Sequence, residues 1–122
     1  MPQILQFPSS SAFRKWLSAN HRQSSGIWLR FFKKTSGEPT VTHAEALDQA
    51  LCFGWIDGQL RPHDHSSWLQ RFTPRRPRSA WSRINTQHAD RLTQSGRMKP
   101  AGQAQIDAAK HDGRWTAAYD SP

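Results

Sequence analysis

Cysteine is nearly missing from this chain: Cys52 stands alone among 122 residues. That excludes an intramolecular disulfide and a multi-cysteine zinc site, and it fits a reducing compartment. No run of about eighteen apolar residues occurs, and Met1 to Pro8 lacks a basic start followed by an apolar stretch. Neither a membrane span nor secretion is therefore expected, and the expected location is cytoplasmic. Acidic residues are scarce, with 9 Asp and Glu against 17 Lys and Arg, giving a net charge of +8. No G-x-S-x-G elbow, H-E-x-x-H or G-x-G-x-x-G pattern is present, so an enzymatic role has no motif behind it and must rest on geometry. No cofactor and no metal is expected.

Large aromatic residues, by contrast, are plentiful: 6 Trp and 6 Phe give ample surface for one compact core despite a low mean hydropathy. The length suits one folding unit and is short for two. The positive charge is uneven. Between Arg61 and Lys99 there are 9 Lys and Arg against Asp64 and Asp90 alone. Such a block attracts nucleic acid, anionic ligands or acidic partners, or simply keeps a surface soluble.

Along the chain, one of Ser9, Ser10 and Ser11 caps a helix whose Phe13, Trp16 and Leu17 share a face, closing near Asn20 and His21. Gly26 to Lys34 reads as a strand, with Ile27, Leu29 and Phe31 opposite Trp28, Arg30 and Phe32. Thr42 and Glu45 have the spacing of a capping box, and Ala44, Leu47, Ala50 and Leu51 form the stripe of a second helix that stops at Gly54. Trp55 to Arg61 is a strand placing Trp55, Asp57 and Gln59 on one face and Ile56 and Leu60 on the other. Pro62 to Ser67 reads as a polar loop, and Trp68 to Thr73 as an antiparallel return strand. Either Trp68 and Phe72 or Leu69 faces inward. Pro74 and Pro77 take the chain off the sheet. Ser79 then caps a helix to about Ser95 carrying Trp81, Ile84, His88 and Leu92 on one side, with Gly96 as its stop, and Pro100 opens a last helix ending between Ala109 and His111. The expectation is an α+β domain spanning 1–122, with a core from about 9 to 115 and short flexible ends. It has a small antiparallel sheet of about three strands packed with about four helices.

With these residues in hand, the chain resembles the YdeI/OmpD-associated (bacteriocin-protection) family from Phe13 to Trp115. The segments that carry the likeness are Ser25-Gly-Ile-Trp-Leu29, Val41 to Gly58, Gln70-Arg-Phe-Thr-Pro-Arg75, Ser79 to Asn85, Gly96 to Gly102 and Asp112-Gly-Arg-Trp115. The resemblance implies an α+β domain, either stand-alone or C-terminal, in a family named for protection and association phenotypes. Tyr is common in such relatives where this chain has His43 and Trp68.

Four constellations bear on chemistry. Trp55 and Asp57 on one sheet face would give an aromatic wall beside a carboxylate, suited to a flat or cationic ligand or to a general base; alternatively, they are core and ion pair. Arg71, Arg75, Ser79 and Ser82 lead into a helix N-terminus, an arrangement that favours phosphate or carboxylate; the alternative is a basic linker with a Ser cap. Cys52 lies between Leu51 and Phe53, where a free thiol is usually inert filler. His63-Asp64-His65 offers no third metal ligand at a fixed spacing. The leading expectation is a pocket for a small anionic or aromatic ligand. Trp55 and Asp57 form one wall and Arg71, Arg75, Ser82 and Asn85 the other, with Trp81 and Trp115 excluding water and Asp57 as the candidate catalytic group. The rivals are a basic nucleic-acid-binding module using Trp68, Phe72 and Trp81, and a protein-interaction adaptor.

Overall fold

A computed structural model describes residues 3–120. In chain order its elements are β1 (Gln3–Gln6), α1 (Ser10–Asn20), β2 (Ile27–Phe32), a 3-10 turn at Lys34–Ser36, α2 (His43–Cys52), β3 (Trp55–Asp64), β4 (Ser67–Pro74), α3 (Arg83–Gln94) and α4 (Pro100–His111). The fold is α+β, with four helices and one sheet in the order β1-β2-β4-β3. The three expected strands are joined by a fourth, because β1 runs parallel to β2 at one edge while the other pairings are antiparallel.

Local chemistry sets the helix ends. Ser9 caps α1 by accepting from the Ala12 amide, and the Thr42 capping box opens α2 with both of its bonds in place. Gly54, at φ +76°, adopts the left-handed conformation that lets Phe53-Gly54 turn α2 straight into β3. The third helix starts later than the serine pattern implied. Ser79 sits in a turn whose amide bonds Arg76, and Ser82 is the cap, accepting from Asn85 at 3.2 Å. The buried stripe of α3 is therefore Thr86, Ala89 and Leu92, while Ile84 is half exposed.

The β3–β4 hairpin also differs from expectation. β3 continues through Pro62 to Asp64, and Asp64 pairs with Ser67 around a tight turn at His65-Ser66, where a longer loop was expected. Pro62 is tolerated because β3 is an edge strand, whose outward backbone groups need no ladder partner. A bulge between Asp57 and Leu60 adds a residue to β3, so Leu60 pairs with Gln70 and Arg61 with Leu69, reversing the expected alternation beyond Asp57.

Helices pack on one sheet face only. There Ile27, Leu29, Phe31, Trp55 and Phe72, all at most 1% exposed, meet Phe13, Leu17, Leu47, Leu51 and Leu92 in a single core. Trp68 joins this face by stacking on Phe31 at 5.6 Å, which answers the parity question in favour of Trp68 and Phe72. Flexible ends were expected outside 9–115, and residues 1, 2, 121 and 122 lie outside the described residues. Of the remainder, Gln3–Gln6 is sheet and Tyr119 forms a parallel bridge with Ser82.

Candidate functional site

Because only two residues separate α2 from β3, the sequence brings the first residue of the helix, His43, next to the third residue of the strand, Asp57. His43 Nε2 donates to Asp57 Oδ2 at 2.8 Å, with both side chains partly open to solvent. The hydrogen bond to Asp57 raises the His43 pKa, the negative charge adds to the effect, and partial burial opposes it. From beneath, the Gln70 amide donates to the same Oδ2 at 3.4 Å and to the Gly58 carbonyl at 3.0 Å. Asp57 Oδ1 takes no hydrogen bond among the described residues, so it is the lone-pair site through which the carboxylate can accept from a ligand.

This pair lies in a cleft of about 440 Å³ between α2 and α3. Ala44, Leu47 and Ile84 supply its apolar lining, and Ser82, Asn85 and Tyr119 part of its polar rim. On the far side, Arg91 Nη2 donates to Asp48 Oδ1 at 2.8 Å and to His88 Nδ1 at 3.1 Å. A guanidinium has no lone pair to offer, so His88 must accept at Nδ1, which leaves its proton on Nε2. The cleft thus holds two imidazoles, one drawn toward its charged form by a carboxylate and the other held as an acceptor by an arginine. Such a site can bind a small polar molecule and move a proton.

Of the residues expected to form the site, Asp57, Ser82 and Asn85 line this cleft together. Trp55 shares the strand face of Asp57 but is 1% exposed, with its indole N–H donating to the His21 carbonyl at 3.4 Å and its ring edge-on to Trp16. It is core because β3 runs from the interior outward, and burial falls along the strand from Trp55 to its tip. Arg71 lies on the opposite sheet face, one residue out of phase with Phe72, and its guanidinium is 5.8 Å from the Trp28 ring. The expected meeting of Asp57 with Arg71 therefore does not occur.

Arg75, Trp81 and Trp115 form a separate stack. The Arg75 guanidinium lies 3.9 Å over Trp81, whose ring is 5.0 Å from Trp115, and Arg75 Nη2 donates to the Ala80 carbonyl. Arg75 is 6% exposed and has no carboxylate partner among the described residues. Burial, followed by repulsion from Arg114, pulls its pKa down to about 10. This stack anchors the loop between β4 and α3.

The remaining candidates are structural. Cys52 is fully buried, and burial pushes its thiol up, away from the reactive thiolate. Asp64 is engaged by the Ser67 and Ser66 hydroxyls, the Ser66 amide and Arg30, which hold its carboxyl well below the usual range. Among the described residues no group of three potential metal ligands occurs, and no helix is long and apolar enough to cross a membrane.

Sequence reasoning passed over His43 as a site residue, along with Asp48, His88, Arg91 and Tyr119. Two signals pointed to them: the two-residue link that folds α2 back along β3, and the three-residue spacing that sets His88 and Arg91 on one side of α3.

No curated protein and no solved structure matches the chain. One family model does, over residues 5–105, from within β1 into α4, and that span takes in every lining residue of the cleft except Tyr119. The chain belongs to that family, described as a domain of unknown function (DUF8412).

Proposed function

We propose that the α2–α3 cleft binds a small anionic or aromatic molecule and that the His43–Asp57 pair is its polar centre. The observation that carries this reading is the 2.8 Å bond from His43 to Asp57 inside a concave site of ligand-sized volume. A protonated His43 offers positive charge to a carboxylate or phosphate. Asp57, through its free Oδ1, orients a ligand N–H or O–H or accepts its proton. Leu47, Ile84 and the half-exposed Tyr119 ring offer apolar contact for a flat portion of the ligand. The resemblance to YdeI/OmpD-associated proteins supports a protective, stress-related setting for such a binder, and that setting is part of the proposal.

A thermal-shift screen over carboxylates, phosphorylated metabolites and nucleotides tests the idea. The expected result is at least one stabilising compound whose affinity falls by roughly tenfold or more in His43→Asn and Asp57→Asn, the loss of one charge-assisted hydrogen bond. Arg71→Ala, on the far face of the sheet, should leave that affinity unchanged. A screen without a stabilising compound, or one whose compounds ignore both cleft substitutions, rejects the site.

A further inference from the structure

The sheet face turned away from the helices is built from cations and rings. β2 presents Trp28, Arg30 and Phe32 there, and β4 presents Leu69 and Arg71. Arg61 joins them because the bulge between Asp57 and Leu60 pairs it with Leu69, whose other neighbour across the sheet is Arg30. The Arg61 guanidinium lies 4.5 Å from the Trp28 ring, Arg71 5.8 Å from the same ring, and Arg30 4.4 Å from Phe32. The Arg71 guanidinium packs over the bare backbone of Gly26, where a Cβ would come within 2.7 Å of Arg71 Nη2.

Charge on this face is unbalanced. Asp64 is already taken by Arg30 and Ser67, and neither Arg61 nor Arg71 has a carboxylate partner among the described residues. Arg71 Nη1 is buried and has no hydrogen-bond partner among the described residues. Two uncompensated guanidinium groups therefore flank one indole, and Ile4 beside it is half exposed. Cation–π contact offsets part of that repulsion, but an anionic partner would offset more.

We propose that this open face binds single-stranded nucleic acid. Phosphates suit the planar fork of Arg61 and the positive charge of Arg71 behind it, and bases stack on rings and on guanidinium planes alike. Trp28 and Phe32 stand four residues apart on one strand, about 13 Å, and so offer two stacking positions, the second at the edge of a hollow of about 580 Å³ lined by Arg30 and Phe32. An acidic peptide would need the cations but not the rings. The aromatic residues that the sequence put forward for this role do not serve it: Phe72 and Trp81 are buried, and Trp68 stacks on the core side.

The test is fluorescence anisotropy of a labelled single-stranded 12-mer, as RNA and as DNA, titrated at low and moderate salt. Binding should weaken steeply with salt, and Arg61→Ala with Arg71→Ala should flatten the salt slope by about 1.4, the share of two phosphate contacts on a single strand. Trp28→Ala should weaken binding about fivefold or more, and Trp28→Phe should retain most of it. If Trp28→Ala proves unfolded by circular dichroism, Arg61→Glu at an exposed position replaces it and should abolish binding at moderate salt. Asp57→Asn, in the cleft, should weaken ligand binding there and leave the affinity for the 12-mer as it is. Absence of binding at low salt overturns the proposal. So does equal affinity for a duplex or for polyglutamate, or binding indifferent to both Trp28→Ala and Arg61→Glu, since each leaves only a polyanion-attracting surface.

Discussion

At His43 both the hydrogen bond and the charge of Asp57 favour the protonated ring, so the folded chain holds that proton to a higher pH than the unfolded chain. The pair's contribution is therefore full below the ordinary imidazole value of about 6.5 and is lost as pH rises through the raised folded value. Histidine NMR titration should show the His43 midpoint falling toward the ordinary value in Asp57→Asn. An unmoved midpoint would separate the two residues. Because the pair is partly solvated, His43→Asn should destabilise by no more than about 1 kcal/mol at pH 6, and by nothing measurable once the ring is neutral. Arg75 poses the opposite problem, a buried cation whose charge is held at a cost. Arg75→Met keeps a long apolar stem over Trp81 and removes that charge, so chemical denaturation should find it within about 1 kcal/mol of the parent, or more stable. Arg75→Ala, which also empties the space over the indole, should lose roughly 2–3 kcal/mol. Asp57 was legible in the sequence because period-two alternation sets it on the strand face of Trp55. Its imidazole partner was passed over, because the two-residue link shows that α2 folds back along β3 but not which of the first helix residues faces the strand.

The seam between α2 and α4 is set by close backbone approach. A Cβ at Gly102 would stand 2.5 Å from the Cys52 carbonyl oxygen and 2.6 Å from that of Leu51, and backbone cannot move aside cheaply. Gly102→Ala should accordingly cost about 1–3 kcal/mol in urea denaturation, despite the usual preference for Ala inside a helix. An unchanged or higher midpoint would mean that the two helices slide apart freely. Elements with a chemical stop or start were readable from sequence: the Thr42 capping box, Gly54, Gly96 and Pro100 all stand at element ends. Elements that depend on a neighbour were not. β1 has four residues with only Leu5 half-buried, and it is a strand because β2 offers it a free edge. The β3 hairpin arm looked like a loop because Pro62 argues against a central strand, and only the sheet order reveals that β3 is at an edge. Ser79 and Ser82 are equally good caps by type, and the left-handed turn at Arg78, φ 64°, decides between them by delaying the helix.

Over the whole molecule, period-two alternation predicted correctly that Trp55 and Asp57 share a face, but it could not say where along the sheet the core ends. One residue lies inside that boundary and the other at its rim, while Arg71 is sent to the opposite surface by a single step of register. The same limit hid the clasp that closes the fold. Beyond α4, Trp115 covers Trp81, Arg114 Nη1 donates to the Ser79 carbonyl at 2.9 Å, and the Tyr119 backbone bonds both Trp81 and Arg83. These contacts join residues more than thirty positions apart, and Arg114, Trp115 and Tyr119 lie beyond the matched span 5–105. The clasp meets the core shared by the sheet and the four helices at one end, where Trp115 and Ala118 pack against it and Trp81, at 2% exposure, is the core member in ring contact with Trp115. A chain shortened to end at His111 should therefore keep its far-UV circular dichroism, shift its tryptophan emission to the red, and melt roughly 5–15 °C lower, as expected for about 2–3 kcal/mol in a domain of this size. An unshifted emission with an unchanged Tm would show that the clasp holds nothing in place. Loss of the far-UV signal would show instead that the core and the clasp fold as one unit.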